Sequence, residues 1–505
     1  MDKRTLLAVA ISIAILLGYQ FFFAPAPTPI IDNNSASANK IDNNVINQTK
    51  EIQLTDKKEQ IKKDIVTEKI SNDNLDIYFD RNSGNINKVS IKNYNGKKLP
   101  LVSFKSDMEN YFVLMEGFGD NYSMAVKETQ NEKIVMFTSL VDKIGITKTY
   151  TIEKNSYMIK VDLKLSNNSE QTIKFDGKIN IGPGFGEGFE KSSYIFEGAM
   201  LYNGEKKEEI AQDKADKPVT LKNPKWMGYT SKYYLFAAID GNIDMATVEK
   251  YNNSALIKGV KNITLNPNSS TNTKLNLFVG PKEYDLLKSY NVGLEHSIDF
   301  GWFKFLAIPM LKFMLFIYDF TKNYGVAIII LTIVVKLLTY PLTIKSMTSM
   351  KKMQTIQPKL MEIKTKFKND PQKMNTAMMD LYKKHGVNPM GGCLPMLIQI
   401  PIFFALYKAL LISVELKGSP FIFWITDLSE KDPYYITPII MGITMFIQQK
   451  MTPSTMDPMQ QKIFLLMPVI FTFLFLSFPS GLVLYWLTNN ILSIAQQYYI
   501  NKKLT

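Results

Sequence analysis

Apolar residues divide the chain into two parts with different periodicity. Between about residues 71 and 295, apolar and polar residues alternate in short runs rich in β-branched and aromatic side chains. Between residues 301 and 500 the apolar runs are long and nearly continuous. Period-two alternation is typical of half-exposed strands, whereas apolar runs of about 20 residues are typical of membrane-spanning helices. The pattern predicts a water-exposed β domain followed by a membrane domain.

The alternating part predicts an antiparallel β-sandwich, because many short strands at short spacing favour sandwiches and barrels. Strands are predicted at Leu75–Phe79, Ile86–Tyr94, Ile134–Leu140, Ile146–Ile152, Tyr157–Leu165 and Leu275–Val279. Acids, histidines and nucleophiles form no evident cluster in this part of the sequence. The pattern therefore gives this domain a fold but no function.

The amino-terminal segment predicts a membrane anchor. Lys3 and Arg4 precede an uncharged run, Thr5–Phe23, and prolines follow where a signal-peptide cleavage site would lie. The run exceeds the roughly 7 to 15 apolar residues of a signal peptide, so we expect an uncleaved anchor over 1–23 with a cytoplasmic amino terminus. The polar stretch 24–70 is too poor in apolar residues to fold and is expected to be a linker.

The membrane part contains five further candidate spans, which bring the predicted total to six. They are Tyr324–Leu342, Cys393–Ser413, Tyr434–Gln449, Ile463–Phe478 and Leu482–Ile500.

The segment 301–320 is interpreted differently, although it is also apolar. On a helix, Lys304, Lys312 and Asp319 fall within an arc of about 80°. We therefore predict an amphipathic helix that lies in the membrane interface, anchored by Trp302 and interrupted at Pro309. Treating it as a span would also reverse the side of every later loop and violate the positive-inside rule.

A basic helical hairpin is predicted between the first two of these five spans. Ile344–Met390 contains ten lysines and three acids, so it is expected in the cytoplasm. Its first helix should kink or restart at Pro358, its second should begin at Asp370 with Pro371 in the first turn, and Gly386 should end it.

Lys336 lies inside the first of these spans, where a charge costs about 2.5 to 3.5 kcal/mol. The anchor and the other four candidate spans contain no Asp or Glu that could pair with it. Water, backbone carbonyls or a guest molecule could satisfy the ammonium in a hydrated cavity, or the side chain could reach the inner interface. The sequence leaves both interpretations open. Thr332 lies one turn earlier on the same helix face.

Polar residues on the last span form a second stripe with helical spacing. Its members are Tyr485, Asn489, Ser493 and Gln496, and Gln399 and Thr472 on other spans are further candidates for a cavity wall. Taken singly, such residues often only join helices by hydrogen bonds. Together, and facing a lysine without an acid, they favour a hydrated groove.

Composition narrows the possible chemistry. One cysteine, Cys393, rules out an intramolecular disulfide and a cysteine-based zinc site, and two histidines rule out a histidine metal cluster. The chain has no phosphate-binding loop sequence for ATP hydrolysis. We expect no cofactor, no metal and no enzymatic activity. The formal net charge of +13 suits a protein that meets anionic lipid or nucleic acid.

Four ordered stretches closely resemble the YidC/Oxa/Alb membrane-protein insertases, and the anchor with its β domain resembles the Gram-negative form. They are NPMGGCLPMLIQIPIFFALYKALL (388–411), DPYYITPIIMGITMFIQQKM (432–451), DPMQQK (457–462) and MPVIFTFLFLSFPSGLVLYW (467–486).

The resemblance implies a polytopic α-helical protein of the bacterial inner membrane. It implies a five-helix core around a groove open to cytoplasm and lipid, with a β-supersandwich, similar to sugar-epimerase folds, in the periplasm. The expected domains are an anchor (1–23), a linker (24–70), a β domain (71–295), an interfacial helix (301–320) and an insertase core (324–500) that includes the hairpin 345–388.

The implied function is insertion and folding of membrane proteins. Hydrophobic segments of nascent proteins would pass from the cytoplasm through the groove into the bilayer, alone or with the Sec translocon, and the ribosome or signal recognition machinery would bind cytoplasmic loops. A secondary transporter with an anion site at Lys336 and a periplasmic scaffold are the alternatives.

The resemblance also implies roles for single residues. Lys336 matches a groove cation that is usually Arg, Thr332 matches a groove threonine, and Trp486 matches a position where Tyr is common. The implied substrate path is Pro395, Leu474 and Phe478, and the implied ribosome or targeting contacts are Lys351, Lys352, Lys359, Lys383 and Lys384.

Overall fold

The computed structural model describes residues 66–94, 97–105, 111–116, 121–182, 184–186, 188–189, 195–212, 214–239, 241–251, 254–387, 394–452 and 458–504. The predicted anchor and nearly all of the predicted linker lie outside these residues. Strands occupy the chain up to residue 281, and helices follow.

The strands form two antiparallel sheets. They are β1 (Thr67–Ser71), β2 (Leu75–Asp80), β3 (Ile86–Tyr94), β4 (Lys97–Lys105), β5 (Val113–Glu116), β6 (Ser123–Glu128), β7 (Glu132–Val141), β8 (Ile144–Glu153), β9 (Met158–Asn167), β10 (Ile173–Ile181), β11 (Gly198–Tyr202), β12 (Lys207–Ala211), β13 (Val219–Lys222), β14 (Trp226–Thr230), β15 (Tyr234–Ile239), β16 (Met245–Tyr251), β17 (Ser254–Leu265) and β18 (Ser270–Pro281). The first sheet has the order β1-β2-β3-β5-β10-β17-β16-β13, with β4 beside β3, and the second has the order β12-β11-β14-β15-β18-β9-β8-β7-β6.

The alternation of apolar residues explains the packing of the two sheets. Along β8, buried and partly exposed positions alternate almost without exception, which places one face of the second sheet in the core. In β14 and β15 every residue is buried, because the outer face of the second sheet there packs against the helical part. The second sheet therefore joins the β domain to the membrane domain.

The first strand lies at the end of the predicted linker. Thr67–Ser71 pairs with β2, and the Lys69 ammonium lies 2.8 Å from the Asp76 carboxylate. Its sequence, TEKIS, contains one apolar residue, so the strand is held by its neighbour rather than by its own hydrophobic face. The last residues of the expected linker, 67–70, thus belong to a strand.

Helices make up most of the remaining chain. They are α1 (Tyr284–Ser289), α2 (Lys304–Thr321), α3 (Tyr324–Thr355), α4 (Gln357–Lys366), α5 (Pro371–Lys384), α6 (Leu394–Ile412), α7 (Ile436–Met451), α8 (Pro458–Phe475) and α9 (Ser480–Leu504). Within the described residues, α3 is long and apolar enough to cross a bilayer, and two shorter apolar helices occur at Leu397–Ile412 and Phe464–Phe475.

The helix α2 lies between the two domains. Its polar side meets the β domain through the Lys312 ammonium, 2.8 Å from the Asp285 carboxylate, while Trp302 just before it is 88% exposed. The prediction that Pro309 interrupts this helix is wrong, because α2 runs through it. Pro309 removes one hydrogen bond near the amino-terminal end, and packing of α2 against α3 and α6 maintains the helix.

The hairpin has the predicted caps. Pro358 lies in the first turn of α4, and the Asp370 side chain accepts a hydrogen bond from the Lys373 amide at the start of α5. Gly386 follows α5 with a φ of +59°, a conformation that favours glycine. The buried side chains that join the two helices to α3 include Met353, Ile356 and Leu360.

Candidate functional site

Lys336 points into the bundle rather than along its own helix. Its Nζ donates a hydrogen bond of 2.8 Å to Ser493 Oγ, and Ser493 Oγ in turn donates to the Asn489 backbone carbonyl at 2.7 Å. Lys336 lies about 18 Å along α3 from Tyr324, which places it well inside a bilayer. Within the described residues no carboxylate lies within ion-pair distance of Lys336. The ammonium is thus partly buried and its charge has no counter-charge in this part of the protein.

A second polar contact joins α6 to α9. Gln399 Nε2 donates to Tyr485 Oη at 2.7 Å, and Tyr485 is buried. Thr332 is also buried, but its hydroxyl donates to the Ile328 carbonyl one turn earlier in α3, as is usual for threonine in a membrane helix. The predicted groove residues therefore form two contacts that meet on α9, with Thr332 beside them on α3.

Two of the predicted wall residues have different surroundings. The Gln496 Oε1 atom is buried and has no hydrogen-bond partner within the described residues. Thr472 donates to the Pro468 carbonyl and packs so closely on Gly442 of α7 that any side chain at residue 442 would collide with it. Thr472 therefore joins α8 to α7, whereas Gln496 retains an unused acceptor.

Two buried polar residues of α9 were missed from the sequence. Asn490 donates to the Met441 carbonyl at 3.4 Å and to Thr444 Oγ1 at 3.3 Å, and Gln497 donates to Thr452 Oγ1 at 3.1 Å. They lie seven residues apart, so they share a helix face that meets α7. That spacing was the available signal, and it indicates a contact face of the helix rather than a groove.

Aromatic rings form the wall between α6 and α8. Trp486 of α9 meets Phe403 of α6 edge-on at 4.7 Å and Phe471 of α8 in a stacked arrangement at 5.9 Å, measured between ring centres. These three rings mark a line between α6 and α8, which we call the seam. Their contacts form an apolar surface between the polar residues of α9 and the outside of the bundle.

The predicted path residues lie along this seam. Leu474 is 49% exposed on α8, and Phe478 packs edge-on against Tyr407 of α6 at 6.1 Å between ring centres. Pro395 lies in the first turn of α6, but its side chain is outside the described part of the chain. The exposed apolar residues of α8 also include Phe473, at 70%.

The predicted cytoplasmic contacts are on the hairpin surface. Lys352, Lys359, Lys383 and Lys384 are exposed, whereas Lys351 is partly buried. They form a positively charged surface suited to anionic partners such as RNA or acidic peptides.

The arrangement supports binding rather than covalent chemistry. It combines one cation, neutral hydrogen-bonding groups and an aromatic wall next to lipid-facing apolar residues. Within the described residues no group of three His, Cys, Asp or Glu could hold a metal ion. The site can attract an anionic group and hydrogen-bond to it inside the membrane.

Comparison with known families covers nearly all of the described chain. The family model for the YidC periplasmic domain matches residues 67–313, and the model described as 60Kd inner membrane protein matches residues 316–505.

Relatives that align over their full length are about 40% identical to this chain. The chain is 42% identical over 545 residues to the membrane protein insertase YidC of Geotalea uraniireducens, with 100% of both chains covered. It is 40% identical over 551 residues to that of Syntrophus aciditrophicus, again with 100% of both covered. A crystal structure of an active YidC insertase matches with a TM-score of 0.40 and 21% identity, covering 86% of this chain and 92% of the other.

Proposed function

Because this chain belongs to the YidC family of membrane protein insertases of the inner membrane, we propose that Lys336 forms the centre of a hydrated groove. In this groove the polar flank of a nascent membrane segment crosses the inner part of the bilayer. The apolar part of the segment then leaves along the seam into lipid.

The single observation that carries the proposal is the bonding of Lys336. An ammonium has three donors, and one of them is used by Ser493 within the described residues. The remaining donors of the ammonium require water or a guest molecule. A backbone or carboxylate group of a passing segment would supply what these atoms lack.

The contact with Ser493 also favours this interpretation over a lysine that extends to the interface. Ser493 belongs to another helix and lies about 20 Å along α9 from its beginning, at a depth similar to that of Lys336. A side chain that extended to the inner interface would lie along α3 instead.

Release into lipid needs an apolar exit and a driving force. The exposed side chains of α8, such as Phe473 and Leu474, provide an apolar surface along the seam. Burying a segment of about 20 apolar residues in lipid is strongly favourable, and the membrane potential contributes about 2.3 kcal/mol per 100 mV for each acidic charge moved outward. ATP hydrolysis is not needed in this scheme.

We extend the proposal to topology and partners. The protein would have six spans with a cytoplasmic amino terminus, arranged in the domains expected from the sequence, and its β domain lies in the periplasm. The exposed hairpin lysines, Lys352, Lys359, Lys383 and Lys384, would meet the ribosome or signal recognition machinery, and insertion would proceed alone or with the Sec translocon.

Charge substitutions at Lys336 test the proposal. The purified protein is reconstituted into sealed liposomes, and a small newly synthesised membrane protein with an acidic translocated loop is added. Protection of that loop from external protease is the measured activity. Lys336→Arg should retain activity, Lys336→Gln should lower it, and Lys336→Glu should lower it about tenfold or more, because attraction of the acidic loop becomes repulsion.

Lys408→Gln is the matched control. Lys408 also lies in an apolar helix, but its ammonium is 3.4 Å from the Asp299 carboxylate at the outer end of α6. Its replacement should leave protection within about twofold of the parent, since a partly exposed ion pair contributes little. Equal activity of the Lys336→Gln and Lys336→Glu variants would remove the electrostatic part of the proposal.

A further inference from the structure

A tight turn in the loop between α6 and α7 carries exposed apolar side chains. The Phe421 amide donates to the Ile425 carbonyl at 3.0 Å, and the Ile425 amide donates to the Ile422 carbonyl at 3.2 Å, so the backbone folds back on itself. At the tip, Phe423 is 82% exposed and Ile422 is 48% exposed. We call residues 421–425 the outer turn. Its apolar tip points away from the rest of the protein.

The backbone holds Phe423 outward in an uncommon conformation. Its φ is +55°, in the left-handed region that bulky residues seldom adopt. The Phe423 ring stacks on the neighbouring Trp424 ring at 5.8 Å between centres. Residues 418–426 contain no charged side chain, although four acids and two lysines occur within 414–433. An uncharged aromatic tip that is kept exposed in this way indicates a surface for an apolar partner.

The outer turn is fixed to the start of α3. Asn323 Nδ2 donates to the Phe421 carbonyl at 3.0 Å, while Asn323 Oδ1 accepts from the Val326 amide in the first turn of α3. The Phe421 ring lies against Gly325, where an added Cβ atom would lie 2.0 Å from the ring. Within the described residues α3 is long and apolar enough to cross a bilayer, so its first turn marks the boundary between water and hydrocarbon.

The start of α7 lies beside the same turn. Trp424 Nε1 donates to Asp432 Oδ1 at 3.1 Å, and the Tyr434 amide donates to the same oxygen at 2.9 Å. The Asp432 carboxylate also accepts from the Thr437 amide, in the first turn of α7, at 2.8 Å. The outer turn therefore contacts the beginnings of two helices that start at the same end of the bundle.

This end of the bundle faces the periplasm. Lys417, just before the outer turn, lies 5.0 Å from the centre of the Tyr233 ring of the periplasmic β domain. Exposed aromatic side chains occur at both helix starts, since Phe320 at the end of α2 is 74% exposed and Tyr434 before α7 is 66% exposed. Aromatic side chains are typical of the level at which helices leave the hydrocarbon, because their rings suit the headgroup region.

We propose that the outer turn inserts Ile422 and Phe423 into the headgroup region of the outer leaflet, and so anchors the loop between α6 and α7 to the membrane. Lipid is the partner because the turn stands where α3 and α7 enter the bilayer, and lipid surrounds helices at that level. The apolar tip gains from contact with the upper acyl chains. The lack of charge beside the tip avoids the cost of carrying an ion into this region.

The anchored loop closes the outer end of the bundle. The Ser480 amide donates to the Glu430 carbonyl at 2.7 Å, and the Gly481 amide donates to the Leu428 carbonyl at 2.9 Å, both at the start of α9. The loop thus connects the starts of α3, α7 and α9, and insertion of its tip into lipid fixes the height of this closure in the membrane. The anchor does not depend on the groove at Lys336, so it stands or falls separately from the proposed function.

Fluorescence quenching measures the depth of the outer turn in the full chain. The single native cysteine is removed by Cys393→Ser, and Phe423→Cys is labelled with the fluorophore NBD. The protein is reconstituted in nanodiscs of phosphatidylethanolamine and phosphatidylglycerol that each hold one copy. Nitroxide lipids quench from near the headgroup or from near the end of the acyl chain, and iodide quenches from water. Headgroup-level nitroxides should quench at least about twofold more strongly than either alternative.

Other exposed apolar residues provide matched controls. Leu140→Cys, at a side chain of β7 that is 69% exposed, should be quenched by iodide and by neither lipid. Ile470→Cys, at a side chain of α8 that is 52% exposed in the middle of a predicted span, should be quenched most strongly from the end of the acyl chain. Ile422→Cys should repeat the result at Phe423→Cys.

A charge at the tip tests the chemistry of the contact. With the label at Ile422→Cys, the change Phe423→Asp should raise iodide quenching about two- to fivefold, because a carboxylate draws the tip into water. Phe423→Leu should leave iodide quenching unchanged. Both changes replace an exposed side chain and remove little packing, so the fold is retained.

Three results would overturn the proposal. Iodide quenching at residue 423 as strong as at residue 140 would place the outer turn in water. Shielding from iodide without quenching by either lipid would show that protein covers the turn. Strongest quenching from the end of the acyl chain would place the tip in the hydrocarbon, as part of the lipid-facing surface of the bundle rather than as an anchor among headgroups.

Discussion

In the β domain the large aromatic side chains lie at the centre, whereas in the helical bundle many large apolar side chains lie at the surface. Phe79, Phe112 and Phe236 are fully buried between the sheets, while Leu338 and Phe473 of the bundle are 76% and 70% exposed. In water the hydrophobic effect favours burial of apolar side chains. At a surface covered by lipid tails, burial of an apolar side chain brings no such gain. The comparison shows that the same residue types stabilise the two domains by different means.

Two buried lysines show the same contrast in polar groups. Lys148 of the β domain donates to the Ser83 carbonyl at 2.9 Å and to Asn85 Oδ1 at 3.2 Å, and it lies 4.8 Å from the Tyr122 ring centre. Lys336 of the bundle donates one hydrogen bond within the described residues, to Ser493 Oγ. Lys148 is held by fixed partners, whereas Lys336 retains hydrogen-bonding capacity for water or substrate. A buried lysine therefore indicates function only where its hydrogen-bond partners leave some of its donors unused.

Removing a core ring should produce the largest difference between the domains. Phe112 packs edge-on against Phe236 at 4.7 Å between ring centres, so Phe112→Ala should lower the free energy of unfolding by about 3 to 5 kcal/mol. The lipid-facing change Phe473→Ala should alter it by less than about 0.5 kcal/mol. Chemical denaturation of the purified protein in detergent measures both. Equal losses would show that the bundle surface is packed like a core.

The two lysines should separate stability from activity. Lys148→Met removes the hydrogen bonds to the Ser83 carbonyl and to Asn85 Oδ1, although Asn85 Oδ1 still accepts from the Met115 amide. The change should cost about 2 to 4 kcal/mol of stability. Lys336→Met should leave stability nearly unchanged, because it removes one hydrogen bond and the burial of a charge together. In the protease-protection assay, however, Lys336→Met should lower insertion. A Lys336→Met protein that inserts normally would contradict the role proposed for this residue.

The junction between the domains should respond to pH through Glu415. This residue is 4% exposed, and burial, together with nearby Glu283, raises the pKa of Glu415 from 4.5 to about 7. The folded protein keeps a proton that the unfolded chain loses between these values. The free energy of unfolding should therefore fall on the order of 2 to 3 kcal/mol as pH rises from about 4.5 to 7, and then level off.

Glu415→Gln isolates this effect. The amide cannot ionise, so the variant should unfold at a higher temperature than the parent at about pH 8 and at a similar temperature at about pH 5. Thermal unfolding followed at several pH values gives the comparison. Parallel pH profiles for parent and variant would assign the pH dependence to another group.

Replacement of a buried amide side chain in the bundle should have the smallest effect on the free energy of unfolding. Asn490 makes two long hydrogen bonds to α7, at 3.3 and 3.4 Å. Contacts of this kind in membranes average about 0.6 kcal/mol, so Asn490→Leu should cost about that much. Asn167 of the β domain is the matched control, because its amide makes three hydrogen bonds to carbonyls at 2.8 to 3.1 Å. Asn167→Leu should lower the free energy of unfolding by more than Asn490→Leu. A larger loss at Asn490 would show that polar contacts hold the bundle as firmly as the sheets.

Local patterns in the sequence were enough to predict the elements. Alternation gave strands such as β3 and β8, and the Asp370–Pro371 pair gave the start of α5, because these features depend on neighbouring residues. The sequence also identified Lys336 as an intramembrane charge without an acidic partner. It failed at Pro309, where packing between helices outweighs the local cost of a proline.

Tertiary structure alone decided which residues meet. Ser493 lies 157 residues from Lys336, and no local pattern selects it over the other polar residues of the last helix. The burial of Glu415 likewise depends on how the β domain packs on the helices. Periodicity fixes which face of an element is apolar, but the partner of that face, and so the surroundings of each buried polar atom, is set by long-range packing.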